Sequence, residues 1–253
     1  MFTFNGIDFS KHIRGIVDIQ RPLMAPQKIA TTSIEGKAEE MFHRKTSATY
    51  NVDITFIISA NSRIELLSKF RKIAGMLDTE APAKLIFHDE PDKYVKVIYE
   101  DSDIEYRANK RHADVTISFK VLDPYWYAIT DDTETYFSSG VKPVVRQGNA
   151  ESYPLIKIRS DVAVTGKMSI GANGSLMTYE GSLGANEWLV FDSALLTAYI
   201  LATDGATKKS ILNRLDVLDF PILAKGDNDF TVTMPASVIG KFRCEIYCNS
   251  RWK

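Results

Sequence analysis

The sequence predicts a mainly β protein built from two domains, and three observations carry that expectation. The chain has 253 residues, more than one typical domain, so two units of roughly 100 to 150 residues are expected. Short runs of alternating apolar and polar residues recur along most of it, separated by Gly, Pro, Asn and Asp, which is the pattern of half-buried strands. Only residues 61–82 carry a clear helical period.

The chain opens with FTFNGIDF, in which Phe2 and Phe4 precede an Asn-Gly pair and Ile7 and Phe9 follow it. Both central residues of that pair tolerate positive φ, so a tight β-hairpin is predicted. IRGIVDIQ gives a further extended run, which breaks at Pro22 and Pro26. Residues 25–46, APQKIATTSIEGKAEEMFHRKT, are polar, charged with both signs and poor in core candidates. They read as an irregular loop or a long projecting hairpin, and segments of this length in a compact domain are usually functional or disordered.

From Thr46 to Ser59, Tyr50, Val52, Ile54, Phe56 and Ile58 alternate with polar residues until Ile57, predicting a strand that becomes buried on both faces. In NSRIELLSKFRKIAGMLDTEAP the period changes: Leu66, Phe70, Ile73 and Leu77 form an apolar stripe, Ser62 and Glu65 fit a capping box, and Pro82 stops the run. A helix over about 62–79 follows, its stripe covering a sheet because no other helix is available. AKLIFHD, KYVKVIYE and HADVTISFKVLD read as strands, the last alternating from Ala113 to Val121 and expected to end at Pro124.

Residues 137–154 lack periodicity and contain Ser, Gly, Asn and two prolines, so the domain boundary is placed near residue 138, giving domains 1–138 and 139–253. Beyond it LIKIRS, GKMSIG, SLMTYEG, EWLVFDS, TAYILATDG, KSILNRLDVLDFPIL, DFTVTMP and KFRCEIYC read as short strands. Their spacing predicts a β-sandwich or jelly roll.

With 31 basic and 32 acidic residues the net charge is −1, which gives no global electrostatic case for a nucleic-acid or anionic-membrane binder. The N-terminal residues lack a signal-peptide layout and no apolar run approaches a membrane span, so synthesis in the cytosol is expected. Cys244 and Cys248 lie about 13 Å apart if RCEIYC is a strand, too far for a disulfide, and are expected to pack as reduced core thiols. His12, His43, His88 and His112 all fall in the other half without metal-ligand spacing. The glycines of GANGSLMTYEGSLG match no phosphate cradle, and no nucleophile elbow occurs. No enzyme activity, metal or cofactor is therefore expected. Trp188 in NEWLVF could stack beneath a sugar ring, but Trp188 and Val190 alternate with Leu189 and Phe191, so both faces look buried and core packing is expected.

SFKVLDPYWYA ends the first domain with Tyr125, Trp126 and Tyr127 in a row. Consecutive side chains cannot all enter one core, and leaving all three in water would forfeit about 1.5–3 kcal/mol each. Some are expected to fill a seam between domains or subunits, where Tyr and Trp are enriched.

LDPYWYA, GNAESYPLIKI and LDFPILAKGDNDFTV, in that order and together with the early hairpin, the IEGK-bearing arm and the single helix, resemble the distal tail (Dit) proteins of siphophages. The resemblance spans in effect the whole chain. The family's arm often carries G-x-x-G, whereas here Gly36 is followed by Lys37, Ala38 and Glu39. The resemblance implies a structural virion protein of the tail tip. Its first domain would be a ring-forming β-sandwich with one helix and an arm, and its second a galectin-like or carbohydrate-module-like sandwich. The implied partners are five further copies in a homo-hexamer, with rings that can stack, the major tail tube protein, the tail-tip protein and receptor-binding or other baseplate proteins. DNA would only pass through the channel, and no membrane insertion is implied. A ring needs heterologous contacts, for which the arm residues Ile34, Lys37, Glu39, Phe42 and Arg44 are candidates. Galectins bind galactosides through H-x-N-x-R, and no histidine follows His112, so the second domain is expected to keep the shape without that site. The alternative reading is a soluble carbohydrate-binding β-sandwich protein.

Overall fold

The structure is a computed structural model that describes residues 1–108 and 110–253. The chain divides into two compact units, Met1–Ile129 and Thr130–Trp252.

The first unit contains β1 (Phe2–Phe4), β2 (Ile7–Asp8), β3 (Gly15–Gln20), β4 (Gln27–Ser33), β5 (Glu40–Ser47), β6 (Tyr50–Ser59), helix α1 (Arg63–Leu77), β7 (Ala83–Phe87), β8 (Glu90–Tyr106) and β9 (His112–Ala128). Asn5 and Gly6 take φ of 48° and 77°, the left-handed pair that closes the β1–β2 hairpin as its sequence predicts. Most strands join one sheet in the order β2-β1-β7-β8-β9-β6-β3. Although two strands separate β1 from β9 in that order, the Phe4 ring lies 4.8 Å from Phe119 of β9, and the Phe2 ring 6.4 Å from Phe56 of β6. The sheet therefore curls over itself, and sandwich-like packing arises within one continuous sheet.

β6 and β9 pair from Tyr50↔Val121 to Ser59↔His112. The alternation read in both holds, and β6 keeps it through Ile57 rather than becoming buried on both faces: Val52, Ile54, Phe56 and Ile58 face inward with Ala113, Val115, Ile117, Phe119 and Val121, and all are buried. Full burial of such side chains contributes about 1.5–3 kcal/mol each, which fixes the register, since a one-residue slip would turn each set to water.

Helix α1 starts where its cap predicts. The Glu65 amide donates to Ser62 Oγ at 3.1 Å, while the Glu65 carboxylate accepts from the Asn61 amide at 2.9 Å, one residue before the cap. Leu66, Ile73 and Leu77 are buried, Phe70 packs at the core's edge, and the helix ends at Leu77 with Asp78 as its cap.

Pro124 does not end β9. Val97 pairs with Val121 and Val95 with Trp126, so residues 122–125 loop out of the ladder before pairing resumes. Proline has no amide hydrogen to give, and it is accommodated where no ladder bond is required.

The second unit contains β10 (Thr133–Tyr136), β11 (Gly140–Arg146), β12 (Leu155–Ser160), β13 (Val164–Ala172), β14 (Met177–Leu183), β15 (Trp188–Asp192), β16 (Thr197–Leu201), β17 (Lys208–Ser210), β18 (Gly226–Thr233) and β19 (Phe242–Tyr247). Two sheets form, in the orders β10-β19-β12-β15-β16-β17 and β11-β18-β13-β14. Their inner faces share one core, with Ile156, Ile158, Ile170, Tyr179, Phe191 and Phe230 among its members. This is the expected sandwich.

The boundary falls at 129/130 rather than near 138. Residues 130–138 belong to the second unit because β10 pairs with β19. Asp131 also accepts from the Asn249 and Ser250 amides at 2.6 and 2.8 Å, and Asp132 accepts from Ser250 Oγ at 2.9 Å. The aperiodic stretch beyond holds β11, whose Pro143 sits in a strand paired on one side only, with β18. Conversely, KSILNRLDVLDFPIL yields only β17, a 3₁₀ turn over Leu212–Arg214, and single bridges at Leu215 and Leu223. Cys244 and Cys248 are free and buried as expected, and burial pushes the Cys248 thiol up to about 12. Among the described residues no helix is long and apolar enough to cross a membrane.

Candidate assembly surfaces

Residues 25–46 resolve as the projecting-hairpin alternative. β4 and β5 pair with each other from Gln27↔Ser47 to Ser33↔Glu40 and form a two-stranded sheet of their own. Gly36, with φ of 82°, closes the tip, where the Lys37 amide donates to the Ile34 carbonyl at 3.0 Å. Ile34 and Lys37 thus lie in the turn, Glu39 precedes β5, and Phe42 and Arg44 lie within it. All five candidate residues are exposed.

A register shift between Ala30 and Thr31 leaves His43 as the extra residue, and its ring Nε2 lies 2.7 Å from Thr32 Oγ1. Opposed residues share a face and successive residues alternate. Ile29, Phe42 and Lys45 therefore line one side with Glu40, while Met41, His43 and Arg44 line the other. Phe42 and Ile29 are each 61% exposed, which is expensive for side chains of this size unless another surface covers them.

The aromatic triplet divides by strand geometry. Trp126 turns toward the first unit's core, its ring 6.0 Å from Phe87. It also hydrogen-bonds the Tyr50 hydroxyl, whose pKa burial raises despite that bond. Tyr127 is turned to the other face: it donates to the Asp123 carboxylate and stacks on Tyr94 at 5.6 Å. Lys96 sits 4.7 Å from the Tyr127 centroid and Lys84 4.3 Å from that of Tyr94. Such cation–π contacts contribute about 0.5–1 kcal/mol at exposed sites, so this is an organised amphipathic patch. Tyr125, beside it in the looped-out segment, is half-buried.

Trp188 is not a core residue. It is half-buried on the outer face of the second unit's larger sheet, where the guanidinium groups of Arg159 and Arg243 approach its centroid to 5.9 and 5.4 Å. Those groups are themselves engaged, Arg159 with Asn186 and Arg243 with Glu245, each at 2.5 Å. The cross-strand neighbours Arg159 and Arg243 carried this signal, but it needs the strand register, which the sequence does not display.

Arg146 was not singled out by sequence reasoning. Its guanidinium is buried and donates to the carbonyls of Ala224 at 2.7 Å, Gln147 at 3.0 Å, Leu223 at 3.3 Å and Ala150. Desolvation lowers its pKa. Every acceptor is a backbone oxygen of its own unit, so the group knits loops together. Among the described residues, no three His, Cys, Asp or Glu side chains are grouped to hold a metal ion.

Residues 7–121 match the family model of the phage tail protein RIFT-related domain. Across 100% of both chains the structure matches SPP1 Dit (gp 19.1), described as a paradigm of the hub adsorption apparatus in phages infecting Gram-positive bacteria, with a TM-score of 0.82 at 14% identity. A structure of the phage P2 baseplate in its activated conformation with calcium matches with a TM-score of 0.50 at 10% identity, covering 95% of this chain and 91% of the other. The search of curated proteins finds no match. The fold is that of a siphophage distal tail protein.

Proposed function

We propose that the chain is a structural hub of a phage tail. Six copies form a ring through their first units, the ring joins the tail tube to the tip or baseplate, and ejected DNA crosses the central opening. The observation that carries this reading is the projecting β4–β5 hairpin with its uncovered Ile29 and Phe42, within a chain whose entire length follows the fold of a protein described as a hub. A closed ring needs a different patch on each side of every copy, with about 800 Å² covered per partner. An arm held away from its own unit is suited to supply one of them. The net charge of −1 suits a channel that passes DNA without retaining it. The patch of Tyr94, Tyr125 and Tyr127 offers a second docking surface, for a neighbour or a tail partner. In this reading the protein resides in the virion tail and has no catalytic step.

Light scattering across a concentration series, with negative-stain images of the same sample, tests the proposal. Sixfold rings with an open centre are expected. Deleting residues 28–44 should lower the oligomer mass while the first unit keeps its melting transition, and unchanged mass would remove the arm from the assembly. The carbohydrate-binding alternative loses its main candidate, since the Trp188 ring is already in contact with two guanidinium groups of its own chain.

A further inference from the structure

A groove of about 540 Å³ opens between α1 and the sheet of the first unit, lined by Phe70, Ala74 and Leu77 of the helix and by Tyr99, Ile104 and Val115 of the sheet. It is apolar at its centre and charged at its ends. Arg71 and Asp78 both line it, and seven residues of helix place them about 10 Å apart along the axis. Both are exposed, and among the described residues neither makes an ion pair. The last turn of α1 carries no basic residue, so the negative end of its dipole adds to the Asp78 carboxylate uncompensated.

One face of the arm bears the complementary order. Glu40 stands opposite Ser33, Phe42 opposite Thr31, and Lys45 opposite Ile29. From the Ser33 position to the Ile29 position the ladder advances about 13 Å, with the exposed Phe42 between the acidic and basic ends and the exposed Ile29 beside Lys45. An apolar centre between one negative and one positive group, at nearly the same spacing, thus occurs on both surfaces with the signs exchanged. The seven-residue strand β4 reaches about 23 Å, enough to cross to an adjoining copy, and β4 and β5 pair only with each other.

We infer that the groove beside α1 is the socket for the arm of a second copy of this chain: Phe42 and Ile29 fill it, Glu40 meets Arg71, and Lys45 meets Asp78. This rests on the ring reading above and specifies its contact. The arrangement is heterologous, as a cyclic ring requires. Phe42 supplies the buried aromatic anchor that concentrates binding energy at such interfaces.

Charge exchange tests it. Glu40→Arg and Arg71→Glu lie on exposed positions, so each variant should fold with an unchanged melting transition. Each is expected to weaken ring association about tenfold, and the double variant to recover most of that loss. Phe42→Ala should weaken association about thirtyfold, which is ~2 kcal/mol at 1.4 kcal/mol per tenfold. A double variant as weak as the two single losses combined, or rings equally stable in all variants, would overturn the socket while leaving the ring intact. A wild-type chain that stays monomeric at every concentration would remove the ring reading and the socket with it.

Discussion

Replacing Arg146 with methionine keeps most of the side-chain stem and removes a guanidinium that is only 4% exposed. Four backbone carbonyls lose its donors, although Leu223 keeps the Ser152 amide at 2.9 Å and Ala224 keeps the Asn228 side-chain amide at 3.2 Å. Hydrogen bonds from a charged donor contribute about 1.5–3 kcal/mol each, so the two that are not replaced amount to about 3–6 kcal/mol. Taking the guanidinium out of water costs several kcal/mol in the native protein, and that cost disappears with the substitution. The net expected loss is about 1–2 kcal/mol, a fall of about 6 °C in the melting of a unit this size. Calorimetry of the full chain should show the drop, and hydrogen exchange should place the loosening in residues 147–152 and 223–228. A melting change within about 0.5 kcal/mol, a routine surface effect, would mean that these carbonyls are satisfied without Arg146 and that the loops do not depend on it.

Ser62→Ala removes the acceptor for the Glu65 amide and should cost the first unit about 1 kcal/mol in urea unfolding, with Ser62→Asp largely restoring it. Trp126→Ala leaves a gap beside Phe87 and should destabilise the first unit by about 2–4 kcal/mol; an unaltered melting point would show that the ring's packing is immaterial. The Thr178 amide, bonded to the Asp216 carboxylate at 2.7 Å, lowers that group's pKa. Its contribution should be fully present above the ordinary carboxylate pKa of about 3.9 and lost as pH falls through the lower folded value. Asp216→Asn should flatten that part of an acid-unfolding curve, and an unchanged curve would remove the carboxylate from the balance.

What could be read in advance was whatever local chemistry decides alone. Asn5-Gly6 closes its turn because those two residues accept positive φ. Ser62 begins α1 because its side chain satisfies an amide that the helix cannot. The alternation in β6 and β9 survived because each strand has one buried face. Features decided by distant partners were not visible. The unit boundary depends on Asp131 and Asp132 finding amide and hydroxyl groups more than a hundred residues later. β9 runs past Pro124 because four of its residues loop out and pairing with β8 resumes at Trp126. Residues 211–223 have strand-like composition, yet only single bridges form there. The arm was legible as a segment unfit for a core, but the pairing that aligns Phe42 with Ile29 required the register shift at Ala30.

The bonds from Asp131 and Asp132 to Asn249 and Ser250 bring the entry and exit of the second unit side by side. A unit tied at its own neck is a cassette: a foreign sandwich with equally close ends could replace residues 130–250, and permuting the chain within this unit should preserve its fold.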